Sequence, residues 1–423
     1  MKTVLICTVG GSHQPIVQSI TRNKPDFVHF ICSEDSGKAK GSYTQVVDPG
    51  KVLKSDPNLK DPDLPNIVEI TGLEEDNYRV HRIRAFDDLN ECYLFALKLI
   101  EEIHEMNPDA RIIADYTGGT KSMTAGLAAA ALDDGRCEIQ LVTGLRQNLN
   151  KVSDRTEFVR PVRVWDTQVT RRMKVAKELL SRFDYAGAAS ILEDAAARFA
   201  SDNTIETLQR WLALCRAFDS WDSFDHATAR NLLQPFRKNF VHHARFLDAI
   251  VKGKGAHGFE WVEDLLLNSD RRAVQGRFDD AVGRLYRALE LTAQVWLRLR
   301  HGIDTGSVEL DKVPDSVKES VKKHSDEKGI IRIGLVQAWE VIAACADDPL
   351  CLLFKEKQGV LLDFLRLRNY SLFAHGTTPI GERQYREHAP LVQSFIRCSV
   401  EKAVMSLRKK SASSPPQFPT EWD

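Results

Sequence analysis

The chain has 423 residues, 43% of them hydrophobic and 28% charged, with a formal net charge of -1 at pH 7. That length predicts two or three domains, and the apolar content is enough for more than one core. A balance this close to neutral argues against coating nucleic acid or a membrane by bulk charge, although a local basic groove remains open to it.

The opening stretch, MKTVLICTVGGSHQP, has one lysine and a short apolar run that ends in a glycine turn. It reads as a first strand, because a signal peptide needs a longer apolar stretch and a small-residue cleavage site. No segment reaches the ~18 apolar residues of a membrane span. The eight cysteines form no CxxC pair, and Cys7 and Cys32 lie in strand-like runs. Such cysteines act as small hydrophobes, which fits a cytoplasmic protein with no zinc site.

Further along, short Val/Ile-rich runs alternate with helical patterns. Strands are predicted at 3–9, 27–32, 67–71, 112–116, 139–143 and 159–165, and helices at 14–21, 89–106 and 120–132. This alternation predicts a mostly parallel, doubly wound α/β sheet. Residues 33–65, rich in Ser, Gly, Asp, Lys and Pro, read as a long surface insertion.

Two strand-to-helix junctions carry unusual residues: TVGGSHQPI, with Gly10, Gly11 and Ser12, and DYTGGTKSM, with Thr117, Gly118, Gly119, Thr120, Lys121 and Ser122. Both open at strand carboxyl ends, where ligands bind in doubly wound sheets. Each precedes a helix N-terminus, whose free N–H groups favour an anion. The hydroxyls of Ser12, Thr117, Thr120 and Ser122 are expected to add donors, and Lys121 a positive charge. Neither the Walker A spacing nor the dinucleotide fingerprint is present. The plainer alternative is a pair of tight turns with an N-capping threonine. Asp115, at a strand end, reads as a backbone hydrogen-bonder before it reads as a catalytic group.

DYTGGTKSMTAGLAAAAL resembles the signature of CARF domains, the CRISPR-associated Rossmann-like sensors, and TVGGSHQPI resembles their other ligand loop. The resemblance spans residues 1–165. It implies a homodimer that binds a cyclic oligoadenylate across its two-fold axis, as an allosteric activator held by the residues just named.

Beyond about residue 168 the apolar spacing is helical through to Leu407. The clearest stripe, Val282, Leu285, Tyr286, Leu289, Ala293, Trp296 and Leu297, reads as the core face of an amphipathic helix. The final segment, residues 411–423, reads as a disordered tail.

In this half LRLRNYSLFAHGTTP stands out. All of it can be explained as a helix end, with His375 in the last turn, Gly376 at C′ and Pro379 after it. Alternatively, Arg368 and His375 lie two turns apart and would share one helical face, with Asn369 and Ser371 beside them. Arginine and histidine together suit cleavage of RNA, whose 2′-hydroxyl is a built-in nucleophile. Histidine moves the proton and arginine stabilises phosphate charge. No metal is then needed, and DNA is spared.

This stretch resembles the R-x(4–6)-H motif of HEPN nucleases, and residues 276–297 and 218–232 resemble helices of CARF–HEPN proteins. The resemblance implies a sensor at 1–165, a helical linker at 166–270 and a HEPN ribonuclease domain at 271–410. It implies catalysis by Arg368, Asn369, Ser371 and His375 on single-stranded RNA, a 2′,3′-cyclic phosphate product, and no catalytic cofactor. Two other readings stay open: a nucleotide-sensing regulatory protein with an inert helical half, and a sensor that also degrades its cyclic ligand. His242–His243 is a weak metal candidate. Arg271, Arg272, Arg298 and Arg300 read as a solvated face before they read as an RNA surface.

Overall fold

A computed structural model describes residues 1–49, 64–143, 146–147, 151–152, 158–162, 165–199, 202–253, 256–407 and 416–422. The chain divides into two compact units, Met1–Gln168 and Val169–Asp423.

The first unit is an α/β sheet. In chain order it runs β1 (Thr3–Val9), α1 (Gln14–Asn23), β2 (Phe27–Ser33), α2 (Thr44–Val47), α3 (Ile67–Thr71), β3 (Tyr78–Ile83), α4 (Leu89–Met106), β4 (Arg111–Asp115), α5 (Lys121–Asp134) and β5 (Glu138–Thr143). Two-residue strands β6 (Arg146–Gln147) and β7 (Lys151–Val152) pair with each other, and β8 (Phe158–Pro161) closes the sheet. The strand order is β3-β2-β1-β4-β5-β8, parallel except for antiparallel β8 at the edge.

Strand β1 is buried along nearly its whole length because it is covered on both faces. Val4 and Ile6 pack with the face under α4 and α5, while Leu5, Cys7 and Val9 pack with the face under α1 and α3. The chain builds outward from β1 through β2 to β3, and from β4 to β5 on the other side. Its topological switch point therefore falls between β1 and β4.

One strand expectation is overturned. Residues 67–71 form helix α3, and the third strand is Tyr78–Ile83. The Asn66 side chain accepts from the Glu69 N–H at 2.9 Å, and Gly72 ends the turn in the left-handed region. Those two caps convert a short apolar run into a helix. The 159–165 strand is also shorter than expected, since Trp165 already begins a helix. Within the 33–65 insertion, α2 is anchored by buried Val46, and residues 50–63 lie outside the described part.

The second unit is helical: α6 (Trp165–Leu180) leads in from the end of the first, then α7 (Tyr185–Phe199), α8 (Asp202–Asp222), α9 (His226–Leu233), α10 (Val241–Lys252), α11 (Glu260–Val274), α12 (Phe278–Trp296), α13 (Asp315–Lys322), α14 (Leu335–Ala344), α15 (Cys351–Asn369) and α16 (Glu382–Ser406). The expected stripe on α12 is a core face, with Val282, Leu285, Leu289, Ala293 and Trp296 buried. It packs with α11, α14, α15 and α16. A second cluster centres on Tyr185, Phe218 and Trp221.

The tail differs from expectation. Residues 411–415 and 423 lie outside the described part, but Phe418 and Trp422 are buried in that second cluster. Arg271 is fully buried, with its Nε 2.7 Å from Asp222 and its guanidinium 3.6 Å above the Phe418 ring. Gln417 accepts from Arg271 Nη1 at 2.8 Å. Arg271 is thus neither a solvated face nor an RNA contact.

Candidate functional site

Both predicted anion loops sit at the switch point and press directly on each other. A Cβ on Gly10 would lie 2.5 Å from the Gly119 nitrogen, and a Cβ on Gly118 would lie 2.5 Å from the Thr8 carbonyl oxygen. Only glycine allows that approach, so the two loops form one surface. Thr8 ties them further by donating its hydroxyl to the Gly118 carbonyl.

The loop hydroxyls are engaged differently from the expectation that they would serve as ligand donors. Thr117 donates to Asp115 Oδ1 at 2.5 Å and accepts from the Val142 N–H at 2.7 Å. Thr120 donates to the Phe86 carbonyl at 2.5 Å and caps α5 by accepting from the Met123 N–H at 3.3 Å. Ser122 donates to the Asp87 carbonyl at 2.7 Å. These side chains brace the loop. What they leave for an anion is the backbone N–H groups at the start of α5 and the exposed ammonium of Lys121. Ser12 is half-buried at the turn before α1, and Gly11 is exposed.

Asp115 is buried and orients this turn. Besides Thr117 it accepts from Gln140 Nε2 at 2.9 Å, and that amide also reaches the Ser19 hydroxyl at 2.7 Å. Gln45 donates to the Gly10 carbonyl at 2.8 Å. Neither glutamine was singled out from sequence. Gln45 lies in the insertion, far from any motif, and Gln140 lies inside an apolar strand. Beside the second loop is a cleft of about 570 Å³ lined by Tyr43, Arg82, Arg84, Phe86, Asp87 and other polar residues. Phe86 and Asp87 are the residues whose carbonyls hold Thr120 and Ser122.

In the helical unit, α15 stops at Asn369, so Arg368 and His375 do not share a helical face. The chain instead folds into a tight turn over the helix end. The Ser371 N–H donates to the Arg368 carbonyl at 3.1 Å, and the His375 N–H returns to the Asn369 carbonyl at 3.2 Å. A Cβ on Gly376 would lie 1.8 Å from the Tyr370 carbonyl oxygen, so this glycine is needed for the turn to close. The turn still brings the backbone of His375 against the residue that follows Arg368, by a different geometry from the one expected. Ser371 is 2% exposed and its carbonyl accepts from Ala374 and Gly376. It is buried and anchors the turn.

His375 and Asn369 are exposed, as are Tyr370 and Phe373. Among the described residues Arg368 has no carboxylate partner, unlike Arg366, which pairs with Asp363 at 3.1 Å. Its guanidinium lies 4.3 Å from the Tyr286 ring centroid, with Nη1 3.3 Å from Asn369 Oδ1. Tyr286 was read from sequence only as part of a core stripe.

Among the described residues one group has metal-ligand geometry: His104, Asp134 and Cys137. Its donors do not suit a cation. The Arg136 guanidinium already sits on Asp134 at 2.6 Å, and burial pushes the Cys137 thiol well above its ordinary range. His243 faces the Gln417 carbonyl at 3.1 Å instead of forming a metal pair with His242.

A Rossmann-like sheet with paired glycine loops at its switch point, followed by a helical domain carrying an R-x6-H turn, defines the CARF–HEPN architecture. Residues 254–399 match the family model described as the Csm6 HEPN domain. The structure of Enterococcus italicus Csm6 bound to cyclic hexa-2′-fluoro-hexa-dAMP superposes with a TM-score of 0.61 at 10% identity, covering 96% of this chain and 94% of that one. Can2 from Sulfobacillus thermosulfidooxidans in complex with cyclic tetra-adenylate matches at 12% identity with a TM-score of 0.24, over 55% of this chain and 68% of that one, too slight to carry weight. No curated protein matches the sequence. Among the described residues no helix is long and apolar enough to cross a membrane.

Proposed function

We propose that the chain is a cyclic-oligoadenylate-activated endoribonuclease of type III CRISPR antiviral defence, cleaving single-stranded RNA without a metal. It acts as a cytoplasmic homodimer in which two HEPN domains pair. The observation that carries the reading is the turn after α15. There an arginine without a carboxylate partner among the described residues and an exposed histidine are held at one helix end by backbone hydrogen bonds. His375 moves protons to and from the 2′-hydroxyl and the leaving 5′-oxygen, giving a 2′,3′-cyclic phosphate. Arg368 stabilises the charge that builds on the phosphate oxygens, and Asn369 steadies the guanidinium edge.

The activator fits the first unit. A ring of phosphodiesters spreads its charge widely, and the joined loops Gly10–Ser12 and Thr117–Ser122 offer backbone donors with one lysine. That the E. italicus protein of similar fold was captured with a cyclic oligonucleotide supports this assignment. The adjoining cleft, with Tyr43 and Phe86 among acidic and arginine side chains, suits a base of such a ligand.

The test is His375→Ala in the full chain. RNA cleavage in the presence of cyclic tri-, tetra- or hexa-adenylate is expected to fall by roughly 100-fold or more. Affinity for the activating ring is expected to stay unchanged by calorimetry. Cleavage that persists in this variant overturns the assignment.

A further inference from the structure

The catalytic reading of Arg368 leaves a physical question. An arginine that must meet a phosphate cannot be held by a carboxylate, because the carboxylate would occupy the N–H fork and cancel the charge. Yet a long, unheld side chain loses rotamer freedom each time it is ordered for reaction.

We infer that Tyr286 is the positioning residue for Arg368, holding the guanidinium plane by its ring face while leaving the N–H groups that Asn369 does not engage open to the scissile phosphate. This rests on the proposal that Arg368 acts in RNA cleavage. The geometry separates the two requirements. The guanidinium carbon of Arg368 is 4.3 Å from the Tyr286 ring centroid, within the range of a cation–π contact. Neighbouring arginines are treated differently. Arg366 is held by Asp363 at 3.1 Å, Arg386 by Glu382 at 2.5 Å and Arg287 by Glu290 at 2.5 Å. Of these, Arg368 is the one held by an aromatic face.

The ring is itself well supported. Tyr286 sits on α12 between buried Leu285 and buried Leu289, and it packs against the main core of the unit. That core lies against α15, so the face under Arg368 is fixed by a rigid helix and not by the exposed turn. The operative part is the ring, whose centroid lies 4.3 Å from the guanidinium carbon of Arg368.

The experiment compares Tyr286→Phe, Tyr286→Leu and Arg368→Gln in the full chain. It uses a fluorogenic single-stranded RNA and whichever of cyclic tri-, tetra- or hexa-adenylate activates the unsubstituted protein. Tyr286→Leu is expected to lower kcat about tenfold, equivalent to about 1.4 kcal/mol, with KM within about twofold. Tyr286→Phe keeps the ring face and is expected to stay near the unsubstituted rate. Equal losses in Tyr286→Phe and Tyr286→Leu overturn the inference, as does a raised KM with kcat intact, or an unchanged Tyr286→Leu beside a disabled Arg368→Gln. If Tyr286→Leu does not fold, Tyr286→Met, which fills the space without a ring, is read against Tyr286→Phe by the same criteria. An Arg368→Gln chain that still cleaves RNA gives a separate answer: it removes the nuclease reading itself.

Discussion

At the sheet's switch point the loop side chains are tied to protein, whereas at the end of α15 the candidate groups stand exposed with few ties. Thr117, Thr120 and Ser122 each donate to a protein oxygen, and two glycines interlock the loops. Around His375 the side chains of Asn369, Tyr370, Phe373 and His375 are exposed, and the turn is pinned through its backbone. The difference matches two tasks. A surface that recognises a ligand by its backbone gains from rigidity, because little freedom is then lost on binding. On the proposed function, a site that requires a second copy and a ligand-driven rearrangement gains from groups that become productive only when assembled.

The comparison breaks first at Gly376. A methyl group there has no room against the Tyr370 carbonyl, so Gly376→Ala must move the turn that carries His375. RNA cleavage is expected to fall roughly 100-fold or more, as for loss of a positioned acid–base group, while ligand affinity changes little. A rate near that of the unsubstituted chain would show that the turn does not set the pose of His375. The mirror experiment is Gly118→Ala, whose Cβ would strike the Thr8 carbonyl and part the loops. Ligand affinity is expected to drop by about 2 kcal/mol, roughly 30-fold in Kd by titration calorimetry. Cleavage at saturating ligand is expected to be retained. Reversed outcomes, with Gly376→Ala losing affinity and Gly118→Ala losing maximal rate, would exchange the two roles.

Much of this contrast was legible in the residues. Both glycine turns, the alternating strands other than residues 67–71, and the α12 stripe follow from local pattern. What failed did so where short-range chemistry outweighed pattern. Residues 67–71 look like a strand until Asn66 and Gly72 are read as caps, and the real third strand, YRVHRI, hides behind its two arginines. The roles of the loop hydroxyls could not be seen from spacing, because their acceptors, the carbonyls of Phe86 and Asp87, come from a remote connection. Tyr286 carried no signal at all, since a tyrosine on an apolar stripe is an ordinary core residue. The helix end before His375 was partly legible, because Gly376 already suggested a stop.

Acid probes the rigid unit more gently. His29 packs beside His81, with Nδ1 2.9 Å from His81 Nε2, and burial with that neighbour lowers its pKa to about 3. The folded value lies below the unfolded one of ~6.5, so the neutral form is favoured by folding. This stability is fully present above about pH 6.5 and is lost as pH falls toward 3. About 2 kcal/mol is expected to disappear between pH 7 and pH 5, read from urea unfolding. In His29→Gln that slope is expected to flatten; an unchanged slope would move the acid sensitivity elsewhere.

The smallest expected effect tests the contrast most finely. The Ser122 hydroxyl donates to the Asp87 carbonyl at an exposed site, so water can replace it. Ser122→Ala is therefore expected to cost about 0.5–1 kcal/mol of stability and to weaken ligand binding by less than about threefold. Lys121→Ala removes the loop's one cationic side chain and is expected to weaken binding more, by about tenfold, with a shallower salt dependence. Should Ser122→Ala lose as much affinity as Lys121→Ala in calorimetry, the hydroxyl must leave Asp87 to grip a phosphate. In that event the loop reorganises on binding, and the rigid site would share the adaptability assigned here to the turn after α15.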